Sequence, residues 1–379
     1  MLGRPRRLAL LAEGNFTTLD AKTAVGILRY RPEEVAAVID STRAGQSARE
    51  CVGTGGAVPV VADVAGAAIA GADSLLIGIA PQGGALLESW RATVRDALTR
   101  GWDVLAGLHA FLAEDAEFEA LAESSGAHLL DVRRPPLARP LACGRAARLR
   151  ALVVLTVGSD CNVGKMTTAL ELRGELLARG ARVAFVATGQ TGIFVADRGV
   201  AIDAVPADFM AGAVETLVLD AAREADLILI EGQGALHHPA YSGVTLALLH
   251  GAAPAALVLC HEAGRERLRF PDEAGVGRGI PPLDELRLDY ERAASWVAPS
   301  RVLGISLNTC ALEERGAREA CAAAARRVGV PATDPVRFGC GALADALLHA
   351  AGERSRAAVG DAASVRGAAV HGGLHAPHA

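Results

Sequence analysis

From residue 7 to about 134, short apolar runs of strand type alternate with stretches whose apolar positions recur at helical spacing. The runs are RLALLAE (7–13), VAAVID (35–40), VPVVAD (58–63), SLLIGIA (74–80), DVLAGL (103–108) and HLLDVRR (128–134). Continuous apolar runs of this length, separated by helical patterns, predict a mostly parallel sheet with helices on both faces. The same alternation resumes after residue 150 with ALVVLTVGS (151–159), ARVAFVAT (181–188), ADLILIEGQG (225–234), AALVLCH (255–261) and RVLGISLNTC (301–310). A second open parallel sheet is predicted there.

Between the two lies RRPPLARPLACGRAARLR, with three prolines and six arginines from Arg133 to Arg150. Proline at that density stops both helix and strand, and its charges read as a solvated basic strap. The expected organisation is an α/β chain of two domains, 1–134 and 151–352, joined by a linker at 135–150. Residues 353–379 are rich in Ala, Gly and His and read as an unstructured tail holding His371, His375 and His378. No repeat of fixed period is present.

The clearest chemistry sits at the end of the first strand of the second domain. There LVVLTV leads into Gly158, Ser159, Asp160, Cys161, Asn162, Val163, Gly164 and Lys165, followed by an amphipathic stretch. Strand, glycine loop and helix start together make an anion nest: backbone N–H groups turn inward, the helix dipole adds positive potential and Lys165 reaches a phosphate oxygen. Nucleotide hydrolases place a magnesium-ligating hydroxyl directly after this lysine. Here that position is Met166, and a thioether does not replace a hard oxygen ligand. Thr167 and Thr168 follow but are rotated about 100° per residue around the helix. The loop therefore keeps a phosphate cradle and weakens the metal site, which suits a phosphate-bearing carrier such as coenzyme A, with no tightly bound metal.

A second constellation, EGQGALHHPAYSG, follows the strand LILI. Glu231 stands at the strand's carboxyl end, where parallel sheets bind ligands, and Gln233, His238, Tyr241 and Ser242 crowd polar groups behind it. Glu231 could hold magnesium in an ATP enzyme or act as a base in acyl transfer. Gln190, Thr191 and Asp203 form a third group of candidates, and in the first domain Asp20, Lys22, Asp40 and Ser41 stand at strand-to-helix junctions. Asp in such places also serves as a simple helix cap.

Composition narrows the partners. A chain of 379 residues with 38 Lys+Arg against 43 Asp+Glu carries a net charge of −5, too near neutral for nucleic acid or an anionic membrane as main partner. Mean hydropathy is +0.27, yet no apolar run reaches the ~20 residues of a membrane span. Seven scattered cysteines without a CxxC pair point to reduced thiols. The apolar run behind Arg4, Arg6 and Arg7 stops at Glu13, short for a signal-peptide core, so a cytoplasmic location is expected.

Taken together, EGNFTTLDAKTAVGILRY, AVIDST, LLIGIAPQGG, GSDCNVGKMTT, TGQTGI, AIDAVPADF and EGQGALHHPAYSGVTLALLHG resemble a bacterial and archaeal family long carried as a conserved domain of unknown function, some of whose members are D-glutamate N-acetyltransferases. The resemblance spans about residues 8 to 350. It implies a Rossmann-like amino-terminal domain, a P-loop carboxyl-terminal domain resembling dethiobiotin synthetase, and a methionine after the lysine as part of the family's own pattern. It further implies acetyl-CoA as donor and the amine of a D-amino acid as acceptor.

On that basis the expected enzyme is an acyl-CoA-dependent N-acyltransferase acting on a small amino acid, possessing further copies of itself as partners. Residues 158–168 would hold the carrier, Glu231, His238 and Tyr241 would be catalytic, and Asp20, Lys22, Asp40, Ser41, Gln190, Thr191, Asp203, Gln233 and Ser242 would receive the substrate. The alternative is an ATP-dependent ligase or kinase, for which the five residues between Gly158 and Gly164 and the strand-end Glu231 both speak.

Overall fold

A computed structural model describes residues 5–371 apart from 19, 80, 82–83 and 270–276, with side chains described as far as 356. The chain divides into two compact units, Met1–Ala138 with Ala187–Pro206, and Arg139–Val186 with Ala207–Ala379.

The first unit is built on β1 (Leu8–Leu11), β2 (Val35–Ile39), β3 (Val60–Val61), β4 (Ser74–Ile77), β5 (Asp103–Ala106) and β6 (Leu129–Asp131). Their order is β3-β2-β1-β4-β5-β6 and each pairing is parallel, the arrangement of a doubly wound Rossmann sheet. β1, β2, β4 and β5 are buried along their whole length, which is why their sequences read as unbroken apolar runs instead of alternating ones. Helix starts are set by short polar caps. Asp63 accepts from Gly66 N–H, and Ser47 with Glu50 forms a reciprocal capping box.

The second unit carries β7 (Leu152–Gly158), β8 (Val183–Val186), β9 (Leu227–Ile230), β10 (Ala256–Glu262), β11 (Arg301–Asn308) and β12 (Ala332–Thr333), in the order β12-β11-β10-β7-β9-β8, again all parallel. β7 lies between β10 and β9 with all seven residues buried, so the loop that follows it opens at the middle of the sheet's carboxyl edge. Leu172 and Leu176 of the helix Lys165–Ala178 pack with Leu152, Val154, Leu227 and Val258 beneath that loop. The α/β class and the two parallel sheets agree with the sequence pattern. The two-residue β12 was not anticipated.

Three features differ from the expected layout. Ala187–Pro206, between β8 and β9 in the chain, groups with the first unit, where Thr191 Oγ1 meets Thr23 Oγ1 at 2.8 Å and Asp197 accepts from Arg31 at 2.7 Å. The helix beginning at Gly341 runs on to His371, beyond the boundary at 352, because alanine-rich sequence without proline favours helix. His375 and His378 lie outside the described residues. Arg133, expected on a solvated strap, is 2% exposed.

Candidate active site

The loop after β7 is held from several sides. Asn162 and Gly164 both take positive φ, 59° and 100°, the left-handed backbone from which anion-binding nests are built. Gly164 N-caps the helix that begins with Lys165, and Val163 is buried beneath. Lys165 is itself 7% exposed, and its Nζ donates to the Asp160 carbonyl at 2.8 Å. It forms no ion pair among the described residues. Burial pushes its ammonium below the usual lysine range, partly offset by Cys161, Cys260, Asp160 and Glu231 nearby. A buried lysine amine at the start of a helix behind a glycine loop is an arrangement suited to an anion.

Asp160 is fully buried and organises the loop through its carboxylate. It accepts from Cys161 N–H at 2.7 Å, from Arg269 N–H at 2.7 Å and from the Arg265 guanidinium at 3.0 Å. Arg265 also donates to the Cys161 carbonyl at 2.9 Å and to Glu262. Ser159 Oγ meets His261 Nδ1 at 2.8 Å. Burial, followed by the Arg265 charge, lowers the His261 pKa to about 4, so the ring is neutral at working pH. Thr168 is turned into the core, where its hydroxyl donates to the Gly164 carbonyl and meets Ser306 Oγ at 2.7 Å. Met166 and Thr167 are half-buried.

The second constellation converges on this loop. Glu231 is 4% exposed at the end of β9. Gly232 follows because nothing larger fits: a Cβ there would lie 1.7 Å from the Thr156 carbonyl, while its N–H donates to Thr156 Oγ1 at 2.9 Å. Thr245 donates to the Gln233 carbonyl at 2.8 Å, folding the segment back on the helix that starts at Ser242. His238 is 1% exposed, its Nδ1 accepts from Ala240 N–H at 3.2 Å, and its ring stacks on the half-exposed Tyr241 with centroids 4.5 Å apart. Asp160, Cys161 and His238 each bring one side-chain donor atom within 4.8 Å of the others. Two motifs almost eighty residues apart therefore share one polar centre.

Tyr290, on the helix Leu283–Ser295, joins them directly by donating to the Gly158 carbonyl at 2.6 Å and accepting from Leu236 N–H at 3.1 Å. Tyr290, Arg265 and His261 were not identified from sequence. Tyr290 reads there as an apolar position on a helix, and the RER following AG in 263–267 matches no motif.

The remaining candidates lie in the first unit. The buried Asp40 carboxylate accepts from Gly14, Phe16 and Thr42 N–H and from Thr42 Oγ1, closing the turn after β1. Ser41 N–H donates to Glu13 at 2.8 Å, Asp20 accepts from Thr17 Oγ1 at 2.7 Å, and Lys22 opens the helix Lys22–Tyr30. Gln190 and Asp203 are joined by Arg133, which donates to them at 3.1 and 2.8 Å. In the structure these groups belong to one unit, and the loop with Glu231, Gln233, His238, Tyr241 and Ser242 to the other.

Comparison with known proteins fits this architecture. The family model DUF1611_C, a P-loop domain of unknown function, matches residues 140–344, and DUF1611_N, a Rossmann-like domain, matches 41–135. A D-glutamate N-acetyltransferase of Tritonibacter scottomollicae is 42% identical over 333 residues, 87% of this chain and 94% of that protein. Another, from a Pseudoalteromonas species, is 39% identical over 275 residues, 72% of this chain and 80% of that one. The crystal structure of a DUF1611 family protein from Anabaena variabilis superposes with a TM-score of 0.86 at 41% identity, covering 91% of this chain and 99% of that one. The chain therefore belongs to the DUF1611 family, with a Rossmann-like amino-terminal domain and a P-loop carboxyl-terminal domain, and its activity is of the N-acetyltransferase class.

Proposed function

We propose that the protein transfers an acetyl group from acetyl-CoA to the amino group of D-glutamate or a closely related D-amino acid. The observation that carries this reading is the loop itself: a glycine loop with a buried Lys165 that has no ion-pair partner among the described residues, followed by Met166 where a nucleotide hydrolase needs a hydroxyl. Such a loop suits a diphosphate that is gripped and not cleaved. Coenzyme A has that group, and the names of both curated relatives supply the acetyl transfer and the acceptor.

In this reading residues 158–168 hold the donor's diphosphate, and the segment from Glu231 to Ser242 forms the polar face over which the thioester turns back. His238 or Glu231 takes the ammonium proton, the free amine attacks the thioester carbonyl and backbone N–H groups hold the developing oxyanion; collapse of the tetrahedral intermediate then breaks the C–S bond, and coenzyme A leaves as a thiolate that takes up the proton shed by the newly acylated nitrogen. Tyr241, stacked on His238, fixes the imidazole plane.

The test is thiol release from acetyl-CoA by the purified protein with a panel of D- and L-amino acids, in the absence of nucleotide and magnesium. D-Glutamate is expected to give the highest turnover. Thiol release that requires ATP and magnesium would instead favour a ligase, the reading supported by the five-residue spacing between Gly158 and Gly164.

A further inference from the structure

Arg133 is the most anomalous charge in the first unit. It lies two residues beyond the end of β6, at the carboxyl edge of the Rossmann-like sheet, and is 2% exposed. A guanidinium so buried normally has its five N–H groups satisfied by acids and carbonyls. Here Nη1 donates to the Gln190 side-chain carbonyl at 3.1 Å, and Nη2 donates to Asp203 at 2.8 Å and faces His109 Nδ1 at 3.3 Å. Nε is buried with no hydrogen-bond partner. Among the described residues one carboxylate, itself 40% exposed on a short turn, compensates the charge.

The surroundings are built closely around this group. A Cβ on Gly107 would lie 2.7 Å from the Gln190 Cβ, so the glycine after β5 is what lets Gln190 approach. His109 and Asp203, which flank the guanidinium, are both exposed. Burial and the Arg133 charge hold the His109 pKa below the usual histidine range, and because a guanidinium only donates, Nδ1 at 3.3 Å faces it as an acceptor. Rotation of the Asp203 side chain therefore opens a preformed cation at the sheet edge where α/β domains bind ligands.

We propose that Arg133 is the carboxylate seat of this unit, that Asp203 occupies it in the absence of ligand, and that the side-chain carboxylate of an acidic amino-acid acceptor replaces Asp203 there. The proposal rests on the acceptor being acidic, as in the preceding reading. It adds which residue selects it. A planar fork with one arm positioned by Gln190 matches a carboxylate with two parallel N–H···O bonds, whereas a side-chain amide offers only one acceptor oxygen to the same fork. The seat thus separates D-glutamate from D-glutamine, molecules of nearly equal size.

Calorimetric titration of D-glutamate and of D-glutamine into the full chain without any acyl donor tests this independently of acetyl-CoA turnover. Wild type should bind D-glutamate more tightly, and Arg133→Gln should lose about a hundredfold for D-glutamate with little change for D-glutamine. Asp203→Asn gives the opposite sign: removing the internal competitor should tighten D-glutamate several-fold. Should Arg133→Gln not fold, Arg133→Lys and Asp203→Asn decide. Equal binding of the two ligands by wild type, equal losses in Arg133→Gln, or weaker D-glutamate binding in folded Asp203→Asn each overturns the proposal. Failure of acetyl-CoA turnover with D-glutamate binding intact would overturn the donor reading and leave the seat standing.

Discussion

The Tyr290 hydroxyl spans two chain segments, donating to the Gly158 carbonyl at 2.6 Å while accepting from Leu236 N–H at 3.1 Å. One phenol thereby fixes the start of the anion loop to the segment carrying His238. Burial raises its pKa well above the usual tyrosine range, so it remains a donor at every working pH. Tyr290→Phe keeps the packing and removes the hydrogen bonds to a buried carbonyl and a part-buried N–H. The expected cost is about 1–3 kcal/mol in denaturant unfolding, with KM for acetyl-CoA raised more than kcat is lowered. Unfolding and kinetics both equal to wild type would show that the bridge carries no weight.

Met166 tests why the loop departs from a nucleotide hydrolase. Met166→Thr restores an oxygen where magnesium is held in those enzymes. Affinity for magnesium ATP, measured by calorimetry, should rise several-fold, and acetyl transfer should not improve. A variant with unchanged ATP affinity would mean that the methionine serves packing alone.

Much of this architecture is legible in the sequence because parallel strands buried on both faces must be apolar throughout, and because a glycine loop with a lysine needs no partner from elsewhere to be recognised. LVVLTVG and LILI are visible for that reason. The supporting residues are not, since each acts through a distant partner: Arg265 lies 105 residues from Asp160, and Tyr290 132 residues from Gly158. Arg133 was masked by its neighbours, a proline- and arginine-rich stretch whose composition resembles solvated chain. Ala187–Pro206 joins the first unit without any breaker signal, through Thr191, Asp197 and Gln190, contacts that no periodicity encodes.

His261 gives the fold a pH dependence with a definite sign. Its folded pKa, about 4, lies below the ordinary 6.5, so between these values the unfolded chain binds the extra proton. Stability is therefore present above about pH 6.5 and declines as pH falls toward 4, by up to about 3 kcal/mol from this group. His261→Gln retains a hydrogen-bonding side chain for Ser159 and removes the titration. Urea midpoints measured from pH 7 to 4 should fall less steeply in the variant than in wild type. Parallel curves would refute the assignment.

Lys165 sets function against stability. Its folded pKa lies below the unfolded value because burial removes the ammonium from water, so between the two values the unfolded chain holds more protons and stability rises with pH. At pH 7 the buried amine is a net cost to the fold, held among the described residues by a hydrogen bond to the Asp160 carbonyl. In the proposed reading, the diphosphate of the donor offsets that cost. Lys165→Met, of similar length and without charge, should melt at a temperature equal to or above that of the ligand-free wild type, yet bind acetyl-CoA about a hundredfold more weakly. Acetyl-CoA should correspondingly raise the melting temperature of wild type and leave that of the variant unmoved, since only a ligand bound by the native state shifts the unfolding equilibrium. A variant that melts lower while retaining the acetyl-CoA response would make Lys165 a structural residue and remove the loop from the donor site.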